Sequence, residues 1–230
     1  MAGRPVQLDH VREAFEGAVD SALALVNATS DLPTKINPNI PIGLHLGHKR
    51  YIIELAFMGV VAAWEEFLER ALVRYVANGA TRNGYRPTPK FGLANSIEHA
   101  YQFLSRDTAY DPSKDYLKAN DPKWVWTTAD FVFSSHPFSC LQTKASLLRH
   151  ASSIRNRVAH DSQKCKADFK RTAIDFLRPA GGTLVQGYSA GRLLEAPVQR
   201  HFGATFISAG NSHFEAYLEM FVQLAADIVP

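Results

Sequence analysis

One apolar stripe limits this chain more than anything else in it. From about Lys49 to Ala77, the residues Ile53, Phe57, Val60, Trp64, Leu68, Ala71 and Tyr75 recur three or four apart. At about 100° per residue they fall within about 40° of one line. A strand would send side chains alternately to opposite faces, so this pattern predicts a long helix with one side committed to a core. Two carboxylates follow Trp64. Glu66 lies about 200° from it and points away, whereas Glu65 sits on the shoulder of the stripe at about 100°, almost above Glu54. Glu65 is the one placed to meet a neighbouring helix.

Other segments repeat the helical period. Val11, Phe15, Ala18, Ala22 and Leu25 predict a helix over residues 6–27, and a shorter one follows from Leu93 to Leu104. Ser139-x-x-Gln142 reads as a capping box opening a helix whose core contacts are Leu141, Ala145, Leu148, Ile154 and Val158. Another helix is expected over Gln163–Leu177. Ser212-x-x-Glu215 is a second capping box, before a C-terminal helix with Phe214, Leu218, Phe221, Ala225 and Ile228 inward.

Between these lie a Pro-rich connection, 28–48, with Pro33, Pro38 and Pro41, and a long irregular insertion, 78–138, opened by Asn78-Gly79. A Gly-rich stretch, 178–210, suits a loop or small hairpin. It lacks the Lys-Ser/Thr of a phosphate loop. No run of alternating strands occurs, so the expected architecture is all-α: an antiparallel four-helix-bundle core, with additional short helices, in a single domain over 1–230.

Composition closes off several function classes. With 46% hydrophobic and 20% charged residues the chain is an ordinary globular one. Cys140 and Cys165 show no CxxC spacing and read as core thiols in a reducing compartment. His45-Leu46-Gly47-His48 has a two-ligand spacing, but no carboxylate or Cys completes it, so neither metal nor cofactor is expected. Ser134-Ser135-His136 lacks the context of a hydrolase nucleophile and reads as a loop. Trp124 and Trp126 could expose one ring for base stacking, although packing is the simpler reading. No apolar run is long enough for a membrane span and the first ten residues lack a signal-peptide core, which points to the cytoplasm.

The net charge of +3 is unevenly spread. Residues 149–171 hold Arg149, Arg155, Arg157, Lys164, Lys166, Lys170 and Arg171 against Asp161 and Asp168, which is +5, leaving −2 for the rest. A solvated helix face would have the same composition. Here, however, the charge surrounds Arg155-Asn156-Arg157-Val158-Ala159-His160, where a permanent cation, an amide and an imidazole lie within six residues. On a helix Asn156 and His160 share a face, and the long Arg155 side chain can swing to it. A cation that never deprotonates beside a group titrating near neutrality suits chemistry on a phosphodiester. The competing structural reading makes His160 a helix-end cation favoured by the dipole, and Arg155 a surface partner of Asp161 or Glu65.

Arg155-Asn156-x-x-x-His160 resembles the R-x4-6-H signature of the HEPN superfamily. Ala63-Trp64-Glu65-Glu66-Phe67-Leu68 resembles the Glu-bearing helix of RiboL-PSP-type HEPN domains. The resemblance implies a metal-independent endoribonuclease that dimerises to form a composite cleft and cleaves RNA to 2′,3′-cyclic phosphate and 5′-hydroxyl ends. Arg155 and His160 would be catalytic, Asn156 and Glu65 would orient them, and Arg157 and Lys164 would contact the RNA backbone. It also implies a possible role as a toxin or phage-defence effector held by an antitoxin or regulatory partner. Members paired with a nucleotidyltransferase antitoxin carry a Tyr two residues after the motif His; this chain has Ser162 there. The alternative is a catalytically inactive HEPN-like module that binds RNA, a nucleotide or a partner protein.

Overall fold

The computed structural model describes residues 7–35 and 43–230, and its ten α-helices dominate the chain. The fold is all-α, as the periodicities require. Pro38 and Pro41 of the Pro-rich connection lie outside the described residues, as does the expected start of the first helix at residue 6.

Helix α1 spans Asp9–Ser30 and α2 spans Leu46–Val76. All seven members of the apolar stripe are buried. The second half of α2 departs from a one-sided pattern, because Phe67, Leu72, Val73 and Val76 are buried as well. A helix enclosed on most sides is a core element rather than a surface one.

Helix α2 stops on Asn78-Gly79, as the sequence suggests, with a division of labour between the two residues. Asn78 takes the left-handed seat at φ 61°, and the Gly79 amide donates to the Arg74 carbonyl at 2.7 Å. A Cβ on Gly79 would stand 2.6 Å from that carbonyl oxygen, so only glycine fits.

The remaining helices are α3 (Ile97–Ser105), α4 (Pro122–Val132), α5 (Cys140–Thr143), α6 (Ala145–Ala159), α7 (Gln163–Leu177), α8 (Ala190–Glu195), α9 (Ala204–Ala209) and α10 (His213–Ile228). Three expectations need correction. The stretch 78–138 is less irregular than expected: Asp121 caps α4 by accepting from the Lys123 amide, with Pro122 in the first turn. That Asp-Pro pair is a helix start as well as a turn signal. Ser134-Ser135 is not a loop, because β2 (Phe133–Ser135) pairs antiparallel with β1 (Thr88–Pro89). The Gly-rich stretch 178–210 is no hairpin; it carries α8 and α9.

The two capping boxes fare differently. The Ser212 amide donates to the Glu215 carboxylate at 2.7 Å while the Glu215 amide donates back to the Ser212 hydroxyl at 3.2 Å. Ser139 caps nothing with its side chain; a 3-10 turn at Pro137–Ser139 and the short α5 precede a break at Lys144, and α6 starts beyond it.

The chain divides into two compact units. The first holds residues up to Glu16, Ala63–Ala145 and Val222–Pro230. Its core gathers Phe15, Trp64 and Phe67, with ring centroids 5.4–5.5 Å apart, and the Tyr75 hydroxyl donates to the Ile228 carbonyl at 2.8 Å. The second holds Gly17–Ala62 and Ser146–Phe221. There Phe57 meets Tyr217 edge-on at 5.3 Å, and the Tyr217 hydroxyl donates to the Leu147 carbonyl at 3.3 Å. Gly191, in the first turn of α8, lies so close to α2 that an added Cβ would be 2.3 Å from the Arg50 carbonyl oxygen. Its amide donates to the Glu54 carboxylate at 2.7 Å.

Candidate functional site

The motif lies at the C-terminal end of α6, in the second unit. Leu147, Leu148, Ala151 and Ile154 commit one side of this helix to the core. That leaves Arg155 and Asn156 half-buried, and Ala159 and His160 exposed. The Arg155 Nη1 donates to the Asn156 side-chain oxygen at 2.9 Å. The amide thus orients the guanidinium, which is the convergence the spacing suggested for these two residues.

His160 departs from that picture. It stands just past the last helical residue, and its backbone amide donates to the Asn156 carbonyl at 2.9 Å. Its imidazole makes no hydrogen bond or ion pair among the described residues. The expected helical face shared by Asn156 and His160 ends one residue too early. What results is a fixed cation followed by a solvent-exposed imidazole.

The basic segment is more neutralised than its composition suggests. Asp161 accepts from Arg157 at 3.4 Å and from Lys166 at 2.9 Å. Asp168 pairs with Lys164 at 2.9 Å and also with Arg171. The hydrogen bond from Lys166 holds the Asp161 carboxyl below the ordinary carboxylate range, and those from Lys164 and Arg171 do the same at Asp168. Lys164 in turn is raised by Asp168. Arg157 and Lys164, expected on the RNA backbone, therefore each have a carboxylate neighbour. Ser162 serves the backbone, since its hydroxyl accepts from the Cys165 amide and caps α7.

Glu65 belongs to the first unit, half-buried on α2 beside the exposed Glu66, which pairs with Arg70 at 2.9 Å. Neither cysteine is fully buried. Burial nonetheless pushes the Cys140 thiol up to about 12, so it stays protonated and unreactive near neutral pH.

A second polar cluster in the second unit was not assembled from the sequence. The Asp175 Oδ2 on α7 lies 2.9 Å from the His201 Nε2 and 3.8 Å from the His150 Nε2 on α6. Arg200 approaches Asp175 Oδ1 at 3.5 Å and donates to the Asp175 carbonyl at 2.7 Å. Burial lowers the His150 imidazole below its ordinary value, an effect Asp175 partly opposes. His201 is held at φ 73°, a left-handed conformation uncommon outside glycine. His150, Asp175 and the adjacent Arg200–His201 pair are far apart in sequence and no local motif links them. His150 lies about 140° around α6 from Arg155, so the cluster faces elsewhere than the motif.

No family model, curated protein or solved structure matches this chain. Among the described residues, no helix is long and apolar enough to cross a membrane.

Proposed function

We propose that the chain is a metal-independent endoribonuclease of HEPN type, acting in the cytoplasm as a homodimer. An antiparallel four-helix-bundle core belongs to the same reading. The observation that carries it is the end of α6, where a guanidinium hydrogen-bonded to Asn156 is followed by an exposed imidazole.

RNA brings its own nucleophile. A base takes the proton of the 2′-hydroxyl, its oxygen forms a bond to the adjacent phosphorus, and the bond to the 5′-oxygen breaks as an acid protonates that leaving group. The products are a 2′,3′-cyclic phosphate and a 5′-hydroxyl. His160 suits the proton transfers because an imidazole can both accept and donate a proton, and such help is worth about 10²–10⁴-fold. Arg155 suits the phosphate, where a fixed guanidinium stabilises the charge that builds on the non-bridging oxygens. One chain offers one such imidazole at the motif, and isologous pairing would supply the second.

The test is incubation of the purified chain with structured and unstructured RNA in EDTA, beside Arg155→Ala and His160→Ala. Cleavage lost in both variants, with cyclic phosphate ends in the native reaction, is the expected result. Glu65→Gln tests the supporting role that the resemblance implies. The second reading, a non-catalytic helical module, is favoured by one observation: Asp161 and Asp168 occupy four of the cations that would attract a phosphate backbone. RNA left intact by the native chain would establish it.

A further inference from the structure

The first unit carries a groove whose lining includes no residue of the Arg155–His160 or Ala63–Leu68 motifs. It is formed by the end of α3, the connection 106–121 and α4, and its volume is about 1220 Å³. That exceeds the roughly 300–1,000 Å³ typical of small-molecule pockets and suits a segment of a polymer.

Large rings line it, and several are turned to solvent. Tyr116 is 86% exposed, Phe131 57% and Phe103 38%, with the half-buried Trp124 among them. Phe91, 59% exposed, extends the surface by packing against Phe131 at 5.8 Å. Single exposed aromatics are ordinary, but a group of them on one surface marks a binding site. Tyr110 is stacked on Tyr101 at 5.5 Å and 10°, which stiffens the floor.

The lining is positive by one charge, with Arg106, Lys114 and Lys118 against Asp107 and Asp115. Arg106 and Lys118 line the groove and form no ion pair among the described residues, while Lys114 is held by Asp111 at 2.8 Å. The two carboxylates of the lining are turned to the backbone: Asp107 accepts from the Ala109 amide at 2.9 Å and Asp115 from the Asp111 amide at 3.0 Å. Uncommitted cations beside exposed ring faces match a chain of phosphates that bears flat bases.

We propose that this groove binds single-stranded nucleic acid, with unpaired bases stacked on Tyr116 and Phe131 and phosphates held by Arg106 and Lys118. Stacking uses the π-face that every base has, so the site is tolerant of sequence. A duplex keeps its bases paired and offers no such face. The proposal goes beyond the cleavage reading and does not require that Arg155 and His160 cut anything.

The experiment measures binding of labelled single-stranded RNA, single-stranded DNA and duplex RNA by anisotropy, using the His160→Ala chain so that RNA stays intact. Both single strands should bind, duplex should bind at least ten-fold more weakly, and affinity should fall as salt rises. Tyr116→Ala and Phe131→Ala should each weaken single-strand binding about ten-fold. Arg106→Glu with Lys118→Glu should weaken it and flatten the salt dependence. Ultraviolet crosslinking followed by peptide mapping should place the nucleotide within residues 102–132, a readout that does not depend on any variant folding.

Unchanged affinity in the two aromatic variants would overturn the proposal, as would crosslinks confined to α6 and α7. So would the absence of single-strand binding at tens of micromolar. Light scattering that shows a dimer dissolved by Tyr116→Ala would assign the groove to a second copy of the chain instead. Failure of the cleavage reading shows separately, as intact RNA with the native chain.

Discussion

The Arg155 guanidinium donates to the side-chain oxygen of the next residue, Asn156, at 2.9 Å. Neighbours in a helix diverge by about 100°, so this bond requires the long arginine to fold back across the helix surface. Under the proposed function, Asn156→Ala should cut the cleavage rate while binding persists. The thermal midpoint should shift little, because the bond is worth about 1 kcal/mol and both groups are half-buried. A rate equal to the native one would remove Asn156 from the site.

Neighbouring positions on α6 should separate chemistry from stability. Ile154 is wholly buried, and Ile154→Ala should lower the unfolding free energy by about 2–5 kcal/mol in urea titrations. His160 is exposed, and His160→Ala should cost under about 0.5 kcal/mol. A large loss from His160→Ala would make it a structural residue.

Two candidate caps should behave oppositely. Ser212→Ala removes a hydroxyl that accepts from the Glu215 amide and should destabilise by about 1 kcal/mol. Ser139→Ala should be close to neutral, because the Ser139 side chain caps nothing. Equal losses in denaturant unfolding would contradict this distinction.

Acidification should destabilise the fold. Burial is the largest cause lowering the imidazoles of both His150 and His213. The unfolded chain therefore binds their protons at higher pH than the native one. This contribution to stability is complete above the ordinary histidine value, about 6.5, and is lost as pH falls through it toward the lower native values. Urea unfolding at pH 7.5 and 5.5 should show the decline, and His150→Phe should reduce it. Stability that is flat across this window would be the contrary result.

Gly191→Ala should destabilise by about 1–3 kcal/mol, since its Cβ would fall 2.3 Å from the Arg50 carbonyl oxygen and force the first turn of α8 off α2. Circular dichroism melting measures it directly. A midpoint within a degree of the native one would show that the contact relaxes freely.

What the chain's own pattern determined is local. The stripe from Ile53 to Tyr75, the Asn78-Gly79 stop, the bounds of α7 and the Ser212–Glu215 box depend on neighbours a few residues apart, whose effect on backbone and burial reads directly from spacing. Helix α4 was also legible, in Asp121-Pro122, but the same pair signals a turn. Tertiary structure decided what depends on remote partners. His150, Asp175, Arg200 and His201 meet only because α6, α7 and the segment before α9 are brought together. Likewise, the Pro137–Ser139 turn and α5 replaced the start expected at Ser139. Spacing encodes contacts within one element because helix geometry is fixed, whereas contacts between elements follow from burying every apolar face at once.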